Sequence, residues 1–263
     1  MKFSNIKWLL PILGIVLYSC KKIININLND ASPQIVIEGN VTNMAGPYQV
    51  QITKTVNFSA SNVFPPVSGA VVKITDNTSG TTDSLIETSP GIYTTNSTLG
   101  MYGHTYQLYI SVQGQTYTAS STMPQLVVLD SLTFQHSDLF GTKNINPVVN
   151  FQDPAGIANY YTYRIYINSK PLKDTYTFSD RLSDGKYISQ QIYLDSTYVS
   201  IGDSVLLQMN CVDKNVWSYF NTLSQATGSD QSVSPSNPIS NISNNALGYF
   251  SATAISSKKS IAK

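Results

Sequence analysis

Apolar and polar residues alternate along most of the chain beyond position 34. Tyr48, Val50 and Ile52 fall on one side of a pleat, with Gln49, Gln51 and Thr53 on the other. Ala70, Val72 and Ile74 alternate with Val71, Lys73 and Thr75, and Tyr106, Leu108, Ile110 and Val112 with Thr105, Gln107, Tyr109 and Ser111. A period of two predicts strands with one buried face. Gly46-Pro47, Pro65-Pro66, Asp76-Asn77 and Pro90-Gly91 separate these runs, and Gln113-Gly114-Gln115 predicts a tight hairpin. Such spacing over residues 34–125 fits an immunoglobulin-like or transthyretin-like β-sandwich.

The same alternation resumes in a second β-rich unit, expected over residues 126–256. Asp130-Ser131-Leu132 opens a strand, Asp153-Pro154-Ala155-Gly156 makes a turn, and Tyr160 to Ile167 is a strand dense in tyrosine. Further strands are expected at 186–194, 205–212 and 247–254. Val216, Phe220 and Leu223 recur at helical spacing, so Val216 to Ala226 is the one helix expected, with Gly228 to stop it. Residues 229–245, rich in Ser, Asn and Pro, read as a long loop, and residues 257–263 as a flexible tail.

The chain begins MKFSNIKWLLPILGIVLYSCKK. Lys2 and Lys7 precede an apolar run that is too short for a permanent bilayer span, as in a secretory signal. Leu17-Tyr18-Ser19-Cys20 resembles a bacterial lipobox. Residues 1–19 are therefore expected to be removed as a lipoprotein signal peptide. Cys20 would carry the lipid, and residues 20–33 would form the tether. The other cysteine, Cys211, alternates with Gln208 and Asn210 on the apolar side of its strand, which predicts an inert buried thiol.

Composition narrows the function classes. Only 12% of the 263 residues are charged and the formal net charge is +1, so there is no basic excess to neutralise a nucleic-acid backbone. Polarity comes instead from Ser, Thr and Asn, which total 80 residues. The 41% hydrophobic share sets the chain apart from disordered sequences.

No catalytic constellation stands out. The two histidines, His104 and His136, are far apart and lack partners at ligand spacing, so no metal site of the zinc type is expected. His104 reads as a solvated loop residue. Glu38 and Glu87 are the only glutamates. Asp174, Asp180, Asp184 and Asp195 sit among turn residues, where Asp bonds the backbone. A G-x-S-x-G elbow and a phosphate-cradling glycine loop are both missing, and Ser256 to Lys259 fits S-x-x-K only in the tail. No catalytic residue, metal or cofactor is assigned. On the Tyr160 strand, Tyr161 and Tyr163 join Ile165 and Ile167 on one face. Tyr160, Arg164 and Tyr166 share the other, which is either half-buried packing or a binding surface for a glycan or partner.

Several landmarks occur in order. They are Pro33 to Gly39 (PQIVIEG), Gly69 to Asp76 (GAVVKITD), Gly100 to Tyr106 (GMYGHTY), Asp130-Ser131, Asp153 to Tyr161 (DPAGIANYY), and Asn237 to Ser251 with its Ala246-Leu247-Gly248-Tyr249-Phe250-Ser251 end. Together they resemble the domain of unknown function 4249 family of Bacteroidota lipoproteins. The resemblance implies an exported outer-membrane lipoprotein, lipid-anchored on a face that the sequence leaves open. It also implies an accessory role beside a TonB-dependent receptor in nutrient uptake, and it carries over no catalytic or ligand-binding residue. The expected function is thus a non-enzymatic accessory or binding component. A surface glycan- or peptide-binding lipoprotein acting alone is the alternative, and a hydrolase a remote one.

Overall fold

A computed structural model describes residues 32–57, 61, 63–139, 142–195, 198–227 and 237–263. The expected signal peptide, Cys20 and nearly all of the tether lie outside the described residues, as do Gly228 and residues 229–236 of the expected loop.

The chain is mostly β, as its alternation predicts. The first segment forms β1 (Ile35–Thr42), β2 (Gln49–Lys54), β3 (Val71–Asp76), β4 (Thr81–Ser84), β5 (Ile86–Ser89), β6 (Ile92–Thr94), β7 (Thr105–Val112) and β8 (Gln115–Thr122). The second forms β9 (Ser131–Leu139), β10 (Thr142–Gln152), β11 (Tyr160–Ile167), β12 (Lys170–Pro171), β13 (Tyr176–Ser179), β14 (Tyr187–Gln191) and β15 (Ser204–Val212), then the helix α1 (Lys214–Thr227) and β16 (Leu247–Ile261). The predicted hairpin joins β7 to β8. Val112 pairs with Gln115, and Gln113 and Gly114 both take positive φ, the mirror-image turn that suits twisted strands.

These strands make three sheets. A nine-stranded sheet runs β12-β11-β15-β16-β1-β2-β6-β5, with β13 also on β11. A four-stranded sheet runs β4-β3-β7-β8, and a three-stranded one β14-β10-β9. The large sheet crosses the expected 125/126 boundary, because β1 pairs in parallel with β16, Val36 opposite Leu247. Alternation fixes which face of a strand is buried but not its neighbour, and a parallel pair can join strands far apart in sequence.

β16 also corrects the expected tail. It continues to Ile261 because Ser257 to Ile261 pair with Gln208 back to Ser204, and Ala262 is buried beyond it. The polar composition of Ser256 to Ser260 hid this strand.

One apolar face of the large sheet carries Ile37, Val41, Phe250, Ala252, Leu207, Met209, Tyr161 and Tyr163, all fully buried. The smaller sheets cover it. Phe151 of β10 meets Tyr161 of β11 edge to face at 5.0 Å, and the Tyr163 hydroxyl donates to Gln190 of β14 at 3.4 Å. Each such side chain contributes roughly 1.5–3 kcal/mol by leaving water. The opposite face mixes polar side chains with Val212, Tyr249 and Ile255.

Candidate functional site

Residues of one parity build this opposite face. β1 contributes Glu38, Asn40 and Thr42, and β16 contributes Tyr249, Ser251 and Thr253. Gln208 and Asn210 of β15 extend it, followed by Thr162 and Arg164 of β11. The pairings Glu38–Tyr249, Asn210–Ile255, Gln208–Arg164 and Asn210–Thr162 keep all of these on one side. They line a single cavity of about 200 Å³.

Helix α1 roofs the cavity with Tyr219, Phe220 and Leu223. Asp213 sets the start of the helix. Its Oδ1 accepts the backbone N–H groups of Asn215 at 2.8 Å and Val216 at 3.0 Å, an N-cap that satisfies two otherwise orphaned donors. Its Oδ2 accepts the Ser121 hydroxyl of β8, and the Ala252 N–H in turn donates to Ser121 Oγ at 2.8 Å. One carboxylate thus ties helix, β8 and β16 together. At the sheet the helix rests on Tyr249, whose ring centroid lies 5.0 Å from that of Tyr219 and 4.8 Å from that of Phe220. Thr177 Oγ1 of β13 donates to Asn221 of α1 at 3.2 Å. The helix expected at 216–226 therefore begins two residues earlier, where Asp213 caps it.

Several polar groups inside the cavity are already bonded. Asn210 donates to Thr162 Oγ1 at 3.3 Å, and Ser251 and Thr253 share a bond between their hydroxyls. Glu38 and Arg164 differ. Neither side chain has a hydrogen-bond or ion-pair partner among the described residues, and both are exposed to solvent. Confinement among the surrounding side chains raises the Glu38 carboxyl above its ordinary range, and the Arg164 guanidinium acts in the opposite direction. The two charges sense each other without meeting. Burial also pushes the Tyr219 hydroxyl up to about 12, with the Glu38 charge adding to it.

A second cavity, about 590 Å³, opens beyond α1 between β13 and β14. It shares Thr175, Phe220 and Leu223 with the first and is lined further by Tyr163, Tyr176 and Tyr193. Tyr193 is 70% exposed.

The three residues singled out on β11 do lie on one face. Arg164 reaches the polar cavity. Tyr160 is half-buried, its ring 5.5 Å from Trp217 of α1, and Tyr166 is half-buried and donates to Gln208 at 3.3 Å. The two tyrosines therefore pack within the protein instead of forming an open platform. The rest of the cavity escaped sequence reasoning. Its one legible signal was Glu38, a carboxylate directly after the apolar run Ile35-Val36-Ile37.

His104 is not a free loop residue. Its Nδ1 lies 2.7 Å from Asp76 Oδ2, because the turn after β3 brings Asp76 beneath it. His136 Nε2 contacts the Lys263 carbonyl oxygen at 2.6 Å. Cys211 is buried, its thiol pushed up to about 11 by that burial, and it accepts the Val127 N–H at 3.5 Å.

Asp153, Asp180 and Asp184 are the described residues closest to a metal-ligand set, with one oxygen of each within 4.8 Å of the others. Asp174 and Asp195 are not part of the group. All three already accept loop N–H groups: Gly185 on Asp153, Asn159 on Asp180 and Gly156 on Asp184. That is the turn-bonding role expected for Asp180 and Asp184. Burial raises the Asp153 carboxyl, while bonds from Tyr161 and Gly185 lower it.

No curated protein matches this chain. Residues 21–259 match the family model described as Domain of unknown function (DUF4249), and the chain belongs to that family.

Proposed function

We propose that this chain is a lipid-anchored outer-membrane protein that acts as a non-enzymatic binding component beside a TonB-dependent transporter. The observation that carries the reading is the polar cavity under α1, with Glu38 and Arg164 facing it and bonded to nothing else. Such a recess, with a few polar groups placed on a rigid sheet, is how binding proteins hold small ligands. Neither histidine lines it and neither does Cys211, so its walls offer recognition groups and no activated nucleophile.

The anchoring half of the proposal rests on the order Leu17-Tyr18-Ser19-Cys20 after a short apolar run. Acyl chains contribute about 0.8 kcal/mol per buried methylene, and two or more hold a protein stably at a bilayer. The transporter half rests on the family resemblance. A net charge of +1 and a low share of charged residues among many Ser, Thr and Asn suit docking to a protein without strong steering fields.

A second reading, capture of a glycan or peptide without a transporter, draws on the larger cavity with Tyr176 and the exposed Tyr193. Affinity purification of the lipidated chain from detergent-solubilised outer membranes separates the two. Recovery of a TonB-dependent receptor in stoichiometric amount is expected. Its repeated absence, with the protein otherwise intact, overturns the accessory role.

A further inference from the structure

The polar cavity narrows its own ligand. It holds one unpartnered carboxylate and one unpartnered guanidinium, and the remaining polar lining nearby is neutral: Asn40, Thr42, Thr162, Gln208, Asn210. Both side chains are exposed at the mouth of the recess, where a direct ion pair would gain little. They stand on different strands, Glu38 on β1 and Arg164 on β11, with β15 and β16 between them in the sheet. The sheet holds them apart across the recess.

We infer that the cavity binds a small zwitterion, a free amino acid or a very short peptide. Its carboxylate would meet the Arg164 fork, and its ammonium group would meet Glu38. The inference rests on the binding reading above and specifies its ligand.

Three physical points favour this class. A zwitterion satisfies both charges at once, whereas an anion would leave Glu38 facing it and a cation would leave Arg164 facing it. A neutral sugar would answer the amides and hydroxyls but leave both charges to water alone, so it would gain nothing from the two groups that set this recess apart. Size agrees as well. At about 200 Å³ the cavity falls below the roughly 300–1,000 Å³ of pockets that hold drug-sized ligands. The aromatic roof of Tyr219 and Phe220 would cover the ligand's apolar side.

The test is calorimetric titration of the full lipidated chain in detergent. Probes are glycine, L-serine and glycylglycine, each beside its N-acetylated and methyl-esterified form, with glucose as the neutral probe. Saturable binding of at least one zwitterion is expected, weakened at least tenfold by blocking either end. E38Q should remove the penalty for N-acetylation, and R164Q the penalty for esterification. R164K, which keeps the charge but not the fork, should fall between R164Q and the parent chain. Both side chains keep solvent contact, and an unchanged thermal midpoint verifies that each variant is folded. Equal affinity for blocked and free probes overturns the inference, as does indifference of folded E38Q and R164Q. Binding of glucose alone, lost in R164Q, would overturn the zwitterion while leaving the cavity a binding site. Absence of binding by every probe overturns the zwitterion, and recovery of the transporter then decides the broader reading separately.

Discussion

Gly248 lies directly against the carbonyl of Ile37 where β16 and β1 run in parallel. A methyl group at this position would overlap the Ile37 oxygen, and Gly248 also holds a φ of 94° that side chains rarely adopt. Both constraints act on the pairing that joins the two halves of the large sheet. G248A should therefore destabilise the protein by about 2–4 kcal/mol, from strain plus overpacking. Chemical denaturation of the variant beside the parent chain measures this, and a loss below ~1 kcal/mol would mean that the strands separate at little cost.

Acid should loosen the four-stranded sheet through two aspartates. Asp83 Oδ2 accepts the N–H groups of Asn96, Ser97 and Thr98 at 2.7–2.9 Å, together with the Thr98 hydroxyl. Asp76 accepts from Thr78, Ser79 and His104. Burial works to raise both carboxyls, but these bonds more than offset it and hold both below the usual range. Their stabilisation is complete above the unfolded-state value near ~3.9 and is lost as pH falls through the lower folded value. D83N should cost about 2 kcal/mol at pH 7, since its amide cannot accept as well as a carboxylate. Its stability should also fall less steeply between roughly pH 5 and 2. Denaturation curves across that range check both outcomes.

The β11 tyrosines should act on stability, not on recognition. Y160A removes the packing against Trp217 and should cost about 1–3 kcal/mol. Y166F loses only a 3.3 Å bond to Gln208 and should cost less than ~1 kcal/mol. Recovery of the proposed transporter from membranes should be unchanged in both. Loss of recovery by a fully stable Y166F would restore the aromatic surface as a contact site.

Thiol titration reports on both cysteines. Cys211 is buried and its thiol is raised to about 11, so it should resist an aromatic disulfide reagent at pH 8 in the folded protein. In guanidinium the purified membrane form should yield one reactive thiol per chain if Cys20 carries the proposed lipid. Two reactive thiols would show that Cys20 is free.

C20S should shift the protein from the outer-membrane to the soluble fraction, because no acyl acceptor remains. Retention of C20S on the membrane through alkaline washing would remove lipid as the anchor.

Strand faces were legible from sequence because the pleat has a fixed period of two. Tyr161 and Tyr163 fell inward, and Tyr160, Arg164 and Tyr166 the other way, as alternation required. The helix was legible from Val216, Phe220 and Leu223, although its first turn depended on Asp213, whose cap competes with nothing in the apolar pattern. Partner choice was not legible. Nothing local to PQIVIEG or to ALGYFS says that Glu38 will lie beside Tyr249. The cavity is a product of that long-range register, so its two charges, 126 residues apart in number from Glu38 to Arg164, could not be brought together from sequence alone. The end of β16 failed for another reason. Its Ser and Lys residues have weak strand preference, and backbone pairing with β15 overrides it.

The position of β16 bears on how the protein comes to exist. Among the described strands it is the last in sequence, yet it stands between β1 and β15 in the middle of the sheet. Every earlier strand can be present and the sheet still has a gap where this one belongs. Closing it needs contacts between segments about 200 residues apart, so the large sheet should form late and slowly relative to the local hairpins.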